Sequence, residues 1–127
     1  MPDIRMVVRC FPTEERATVA EAITKLFPDA VVEGDDPMIA RAGSVEVFAE
    51  QLARQRIRSA ARKMLRRGVS GEETHFKLNK QVATLGKVSF ADGEHPLGDI
   101  SVVIRAENIV SLIDIIAPNL SSEEGGS

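Results

Sequence analysis

Short strand-length runs, joined by links too brief to hold a crossover, most constrain what this chain can fold into. Residues 30–33 and 38–41 are apolar and extended in character, and only the turn Gly34-Asp35-Asp36-Pro37 parts them. Residues 74–78 alternate, with Phe76 and Leu78 on one face, and a turn at Gly86 leads into a second run at 87–90. Asp92-Gly93 and Pro96-Leu97-Gly98 then mark turns before residues 100–106, the clearest strand of all. Parallel neighbours need a connection of about a dozen residues or more, so strands that follow one another through tight turns pair antiparallel.

Elsewhere the apolar period lengthens to three and four. Residues 4–10 form a first strand, after which Pro12 and Thr13 set a helix start, with Thr13 as N-cap and Glu14 and Glu15 at the positive end of the dipole. Val19, Ala22, Ile23, Leu26 and Phe27 make its apolar stripe, and Pro28 ends it. Ser44 caps a longer helix running to about Arg67, where Gly68 supplies the C′ residue. Its stripe is not straight: Val45, Phe48 and Leu52 lie nearly opposite Ala53, Ile57, Ala60, Ala61 and Met64, which predicts a break near Leu52. Residues 107–117 repeat apolar side chains helically, and Pro118 stops them.

The expected order is therefore β-α-β-β-α-β-β-β-α, a two-layer α+β domain with a mostly antiparallel sheet and three helices packed on one face. The 127 residues suit one compact domain, placed at 1–118, with an acidic tail at 119–127 expected to be disordered. Cys10 is the single cysteine and sits in an apolar run, which reads as an inert core thiol in a reducing compartment. The start lacks the pattern of a secretory leader and no run is long enough to cross a bilayer, so the expected location is cytoplasmic.

Charge is sorted along the chain. Residues 51–90 hold ten of the sixteen Lys and Arg residues against Glu72 and Glu73 alone, a net of +8, while the rest carries six basic and seventeen acidic residues, or −11. Such asymmetry points to a polyanion-facing patch, with nucleic acid as the expected partner. On a helix Arg58, Arg62 and Arg66 fall in one row at i, i+4 and i+8, and Arg56, Lys63 and Arg67 in another. From Arg54 to Arg67 arginine outnumbers lysine six to one, and guanidinium forks suit bidentate phosphate contacts. Like charges at i, i+4 destabilise a helix by a few tenths of a kcal/mol each, so they need an anion or acidic neighbours in the fold. Glu14, Glu15, Glu21, Glu46 and Glu50 are the candidates for internal pairing, and an acidic protein surface is a third.

Aromatic residues are few: five Phe, with no Trp or Tyr. Extensive base stacking is thereby disfavoured, with Phe11, Phe76 and Phe90 as the rings that remain candidates. Catalytic patterns are weaker still. His75 and His95 have no partner at metal-ligand spacing, and no Gly-rich phosphate loop, nucleophile elbow or paired-carboxylate motif occurs. Neither a catalytic residue, a metal nor a cofactor is expected, and the chain reads as no enzyme.

Arg54-Gln55-Arg56-Ile57, Leu65-Arg66-Arg67-Gly68, Leu78-Asn79-Lys80-Gln81 and Gly86-Lys87-Val88 resemble signatures of the archaeal uncharacterised protein family 0201. Arg9 to Glu14, Leu26 to Ala30, Leu112-Ile113-Asp114 and Ala117-Pro118 match its pattern too, so the resemblance covers nearly the whole chain to Pro118. It implies an α+β fold like that of ribosomal protein L-five. It also implies kinship with archaeal proteins predicted to bind RNA, some of them proposed to work beside the exosome. Arg54, Gln55, Arg56, Asn79, Lys80 and Gln81 are the positions that match, and multi-donor side chains there suit phosphate and 2′-OH contacts.

The reading is an RNA-binding module without catalysis. Arg58, Arg62, Lys63 and Arg66 grip phosphates, Asn79, Lys80 and Gln81 extend the surface, and Arg54, Gln55, Arg56, Arg67, Lys77 and Lys87 complete the candidate site. The alternative is a protein-interaction or assembly module, homodimeric in one version, whose basic helix docks an acidic surface.

Overall fold

A computed structural model describes residues 2–91 and 98–119. The turn signals at residues 92–97, His95 and residues 120–127 of the tail lie outside the described residues. Along the chain run β1 (Asp3–Val8), α1 (Arg16–Leu26), β2 (Val31–Glu33), β3 (Met38–Ala42), α2 (Glu46–Arg54), α3 (Arg58–Arg67), β4 (Val69–Ser70), β5 (Glu73–Asn79), α4 (Lys80–Ala83), β6 (Asp99–Arg105) and α5 (Ile109–Ile116). The six strands form one sheet in the order β2-β3-β1-β6-β5-β4, every pair antiparallel.

Strict alternation sets which face is covered. Ile4, Met6 and Val8 of β1, Met38 and Ala40 of β3, Thr74, Phe76 and Leu78 of β5, and Ile100, Val102 and Ile104 of β6 are all buried under the helices. Their neighbours Arg5, Val7, Ile39, Arg41, His75, Lys77 and Arg105 stand on the other face, exposed. Helix stripes fill the gap: Val19, Ala22, Ile23 and Leu26 from α1, Phe48 and Leu52 from α2, Ala61 and Leu65 from α3, Ile109, Ile113 and Ile116 from α5. A chain of rings, Phe27–Phe48–Phe76–Phe90, runs through this layer with centroids 5.3, 5.7 and 5.8 Å apart.

Five helices, rather than three, occur among the described residues. The long basic helix divides into α2 and α3, as its twisted stripe predicts, but at residues 55–57 rather than at Leu52. The Ile57 amide bonds the Leu52 carbonyl at 3.0 Å and the Arg56 amide bonds that of Ala53 at 3.1 Å. That is a Schellman motif, with Arg56 at φ +58° where glycine is usual. Gly68, expected in that left-handed role, has φ −85°. Its need is steric, because a Cβ there would lie 2.0 Å from the His75 carbonyl oxygen.

Residues 87–90, expected as a strand, make only an isolated bridge, Phe90 to Leu78, beside β5. The cause is Gln55, whose amide donates to the Val88 carbonyl at 2.8 Å and accepts the Val88 N–H at 2.7 Å. Val88 therefore spends its backbone groups on a side chain instead of on a neighbouring strand. Thr13 does not cap α1: the helix begins at Arg16, and Glu14 accepts the Phe11 amide at 3.1 Å. Ser44 stands one residue before the N-cap of α2, which is Val45, and accepts the Glu46 amide at 3.3 Å from there.

Candidate nucleic-acid interface

The basic stretch does not stay together when the chain folds. In α3 the buried stripe is Ala61 and Leu65, which turns Lys63, Arg66 and Arg67 fully outward with Ser59 and Ala60. Arg62 leans the other way, toward α5. Its Nη1 donates to Asp114 Oδ1 at 2.6 Å and to the Ala117 carbonyl at 3.1 Å, and the side chain is only 17% exposed. Arg58 is half-buried on the same flank. The expected row Arg58-Arg62-Arg66 thus splits, because two of its members lie over the joint between α3 and α5.

Three more candidates are committed internally, and a fourth lies on another face. Gln55 clamps Val88 and also accepts a bond from Gln51 Nε2 at 2.8 Å. Asn79 is the N-cap of α4, its Oδ1 accepting the Val82 amide at 3.0 Å. Lys80, expected on the surface, is 1% exposed. Its Nζ donates to Glu14 Oε1 at 2.8 Å and to the Arg9 carbonyl at 2.9 Å, and lies 5.0 Å from the centre of the Phe11 ring. Lys77 is exposed but stands on the open sheet face, away from α3.

What the fold does bring together is a band of arginines and lysines at the α2–α3 joint. The Gln55–Val88 clamp brings the segment that carries Lys87 to the joint that carries Arg54 and Arg56, and Lys63, Arg66 and Arg67 line one groove farther along α3. All six are exposed, and among the described residues none holds a carboxylate at salt-bridge distance. Gln81 is exposed too, at the start of the short α4. One internal ion pair reaches α3 from α5, Asp114 with Arg62. Of the glutamates proposed for that task, Glu14 pairs with Lys80 instead.

The rings offer little to bases: Phe76 is buried and Phe90 packs edge-on against it, while Phe11 lies under Arg9 and Lys80. A second ionic site ties the ends of β1 and the β2–β3 turn. The Arg9 fork grips Asp36, with Nη2 to Oδ2 at 3.0 Å, and the Cys10 amide donates to the same carboxylate. The guanidinium hydrogen bond holds the Asp36 carboxyl below its usual range and raises Arg9 in turn. The outward arginines of the sheet were missed by sequence reasoning, although alternation in β1 and β3 was signal enough. Arg5 and Arg41 stand directly opposite each other on the uncovered face. Among the described residues no group of three or more His, Cys, Asp or Glu is placed to hold a metal ion, and no helix is long and apolar enough to cross a membrane.

Comparison with known proteins places the chain among archaeal sequences. A family model described as RNA binding matches residues 3–107. A UPF0201 protein of Methanothermobacter thermautotrophicus is 34% identical over 116 residues, covering 88% of each chain. A UPF0200/UPF0201 protein of Archaeoglobus fulgidus is 37% identical over 120 residues, 91% of this chain but 37% of that longer protein. Among solved structures, a UPF0201 protein of Methanococcus jannaschii superposes with a TM-score of 0.85 at 35% identity, over 92% of this chain and 93% of that one. A DUF54 protein of Archaeoglobus fulgidus shares the fold at a TM-score of 0.67 and 22% identity, over 91% and 96% of the two chains.

Proposed function

Because the chain belongs to the archaeal UPF0201 family, and a family model described as RNA binding spans most of it, we propose that it is a non-catalytic RNA-binding module. Its contact surface is the band formed by Arg54, Arg56, Lys87, Lys63, Arg66 and Arg67. The observation that carries this reading is their shared exposure without acidic partners among the described residues, in a chain whose net charge is −3. A chain with nineteen acidic residues has ample means to neutralise such a band, yet among the described residues none of the six holds a carboxylate at salt-bridge distance. Maintaining six like charges in one region costs stability unless an anion is there to meet them.

Arg56 supports the same reading from backbone energetics. A left-handed conformation costs a non-glycine residue roughly 1 kcal/mol, and glycine would serve the Schellman motif better. An arginine kept there is one whose side chain has a use outside the fold. With few free rings, recognition proceeds by phosphate and 2′-OH contacts rather than by base stacking. The finer likeness to ribosomal protein L-five belongs to this proposal, as does the absence of a chemical step.

The test is fluorescence anisotropy of nuclease-treated protein against structured RNA, single-stranded RNA and duplex DNA. Micromolar or tighter binding that prefers RNA is expected. No binding to any of the three at low salt overturns the proposal and turns attention to acidic proteins as partners.

A further inference from the structure

At one end of the sheet β2 pairs with β3 alone, so among the described residues its outer edge has no partner strand. Proteins commonly blunt such an edge with lysine, proline or a bulge, because free backbone N–H and C=O groups template another strand. β2 has none of these: it reads Val31-Val32-Glu33, pairs with β3 in regular register, and leaves Val31 64% exposed. Beside it on the uncovered face is a concavity of about 580 Å3, lined by apolar Val31, Pro37 and Ile39 and by one acid and one base, Glu33 and Arg41. The turn joining β2 to β3 is pinned. Arg9 grips Asp36, and Arg16 reaches Asp35 at 2.9 Å and the Gly34 carbonyl at 3.1 Å, so both aspartates of the turn are spent. Glu33 and Arg41 are left over, both exposed and neither in an ion pair among the described residues. Register keeps them apart, since Glu33 lies opposite Ile39 and Arg41 opposite Val31.

We propose that this edge is a homodimer interface, in which the β2 strands of two copies pair antiparallel about a two-fold axis at Val32. Such an interface must be self-complementary, and this edge is. Centring the axis on Val32 sets Val31 opposite the partner's Glu33, in the row that continues to Arg41 on the same face. Arg41 and the partner's Glu33 are then two strand spacings apart, about 9.6 Å, a gap that their extended side chains close over Val31. Symmetry makes this pair twice, and the two Val31 side chains become diagonal neighbours across the axis. A strand of three residues offers few backbone bonds, so the dimer is a weak one that forms in the micromolar range or above. Since α3 packs on β5, toward the other end of the sheet, each copy keeps its basic band clear and the dimer presents two. That consequence for RNA rests on the function proposed above; the dimer itself does not.

The experiment is sedimentation of the full chain without RNA, from micromolar to millimolar concentration, beside Glu33→Arg, Arg41→Glu, the double variant of both, and Val31→Lys. The natural chain should dimerise with rising concentration. Each single charge reversal should weaken the dimer about tenfold or more, because like charges then meet twice. The double variant should restore it, because every pair is reversed yet still opposite in sign. Val31→Lys, which charges the edge without touching the pair, should leave monomer. All these side chains are exposed, so melting curves should agree across the set. A natural chain that stays monomeric at millimolar concentration overturns the proposal without recourse to any variant. A dimer indifferent to the single reversals or to Val31→Lys, or one that the double variant fails to restore, overturns this edge as the interface.

Discussion

Lys80 matches a basic signature in the sequence, yet its ammonium is buried in the fold, and the difference has a measurable cost. The side chain is 0% exposed and that of its partner Glu14 is 12% exposed. Removing one charge of a buried pair strands the other, at about 3–5 kcal/mol. The two partners are not equivalent. Glu14→Gln keeps an oxygen able to accept from both the Phe11 amide and the Lys80 ammonium but removes the charge that neutralises that buried ammonium, so about 3–5 kcal/mol is expected, roughly 10–15 °C in Tm for a chain of this size. Lys80→Met fills the same volume and leaves a carboxylate still bonded to that amide and nearer water, at about 1–3 kcal/mol. The double variant should be more stable than the sum of the singles by about 2 kcal/mol. Urea denaturation at constant m measures all three. Equal costs for the two single variants would refute the asymmetry. A Lys80→Met protein of unchanged stability but weakened RNA binding would refute the burial itself.

Gly68→Ala should cost at least about 2 kcal/mol, since the new methyl would overlap the His75 carbonyl; urea melts read it directly. Arg56→Gly should raise stability by about 1 kcal/mol while weakening RNA binding, a split in sign that calorimetry and anisotropy together detect. For Asp36, the folded-state carboxyl lies below its unfolded value because Arg9 hydrogen-bonds it, so its contribution is present above about pH 4 and is lost as pH falls through the folded value. The Tm difference between the natural chain and Asp36→Asn should therefore be constant at neutral pH and shrink in acid.

Most of the sheet was legible because its signal is local. Alternation in residues 4–8, 38–41, 74–78 and 100–105 names the buried side of four strands, and the short link at residues 34–37 names the antiparallel sense of β2 and β3, whereas the pairings of β1 with β3 and β6 and of β5 with β6 join strands distant in the chain. The helix break was legible too, as a twist in the apolar stripe, although the Schellman hydrogen bonds set it three residues later than the stripe suggests. Long-range contacts were not legible. Nothing near Val88 announces that Gln55, 33 positions earlier, will take both its backbone groups and keep residues 87–90 from becoming a strand. Likewise Lys80 looks like any basic residue until Glu14, 66 positions away, closes over it. The candidate site divides on the same line. Charge density along the sequence located the basic stretch, but which cations face water depends on α5, whose Asp114 draws Arg62 inward.

The salt dependence of RNA binding by Lys63→Gln/Arg66→Gln/Arg67→Gln tests the central claim most directly, because those three cations point outward and carry no part of the core. With about four to six phosphate contacts, the natural chain should lose affinity with a log–log slope of roughly −3 to −5. The triple variant should bind more weakly across all RNA sequences, with a slope flatter by about 2 to 3, and should melt at nearly the same temperature. A folded triple variant with unchanged affinity and unchanged slope would contradict the account.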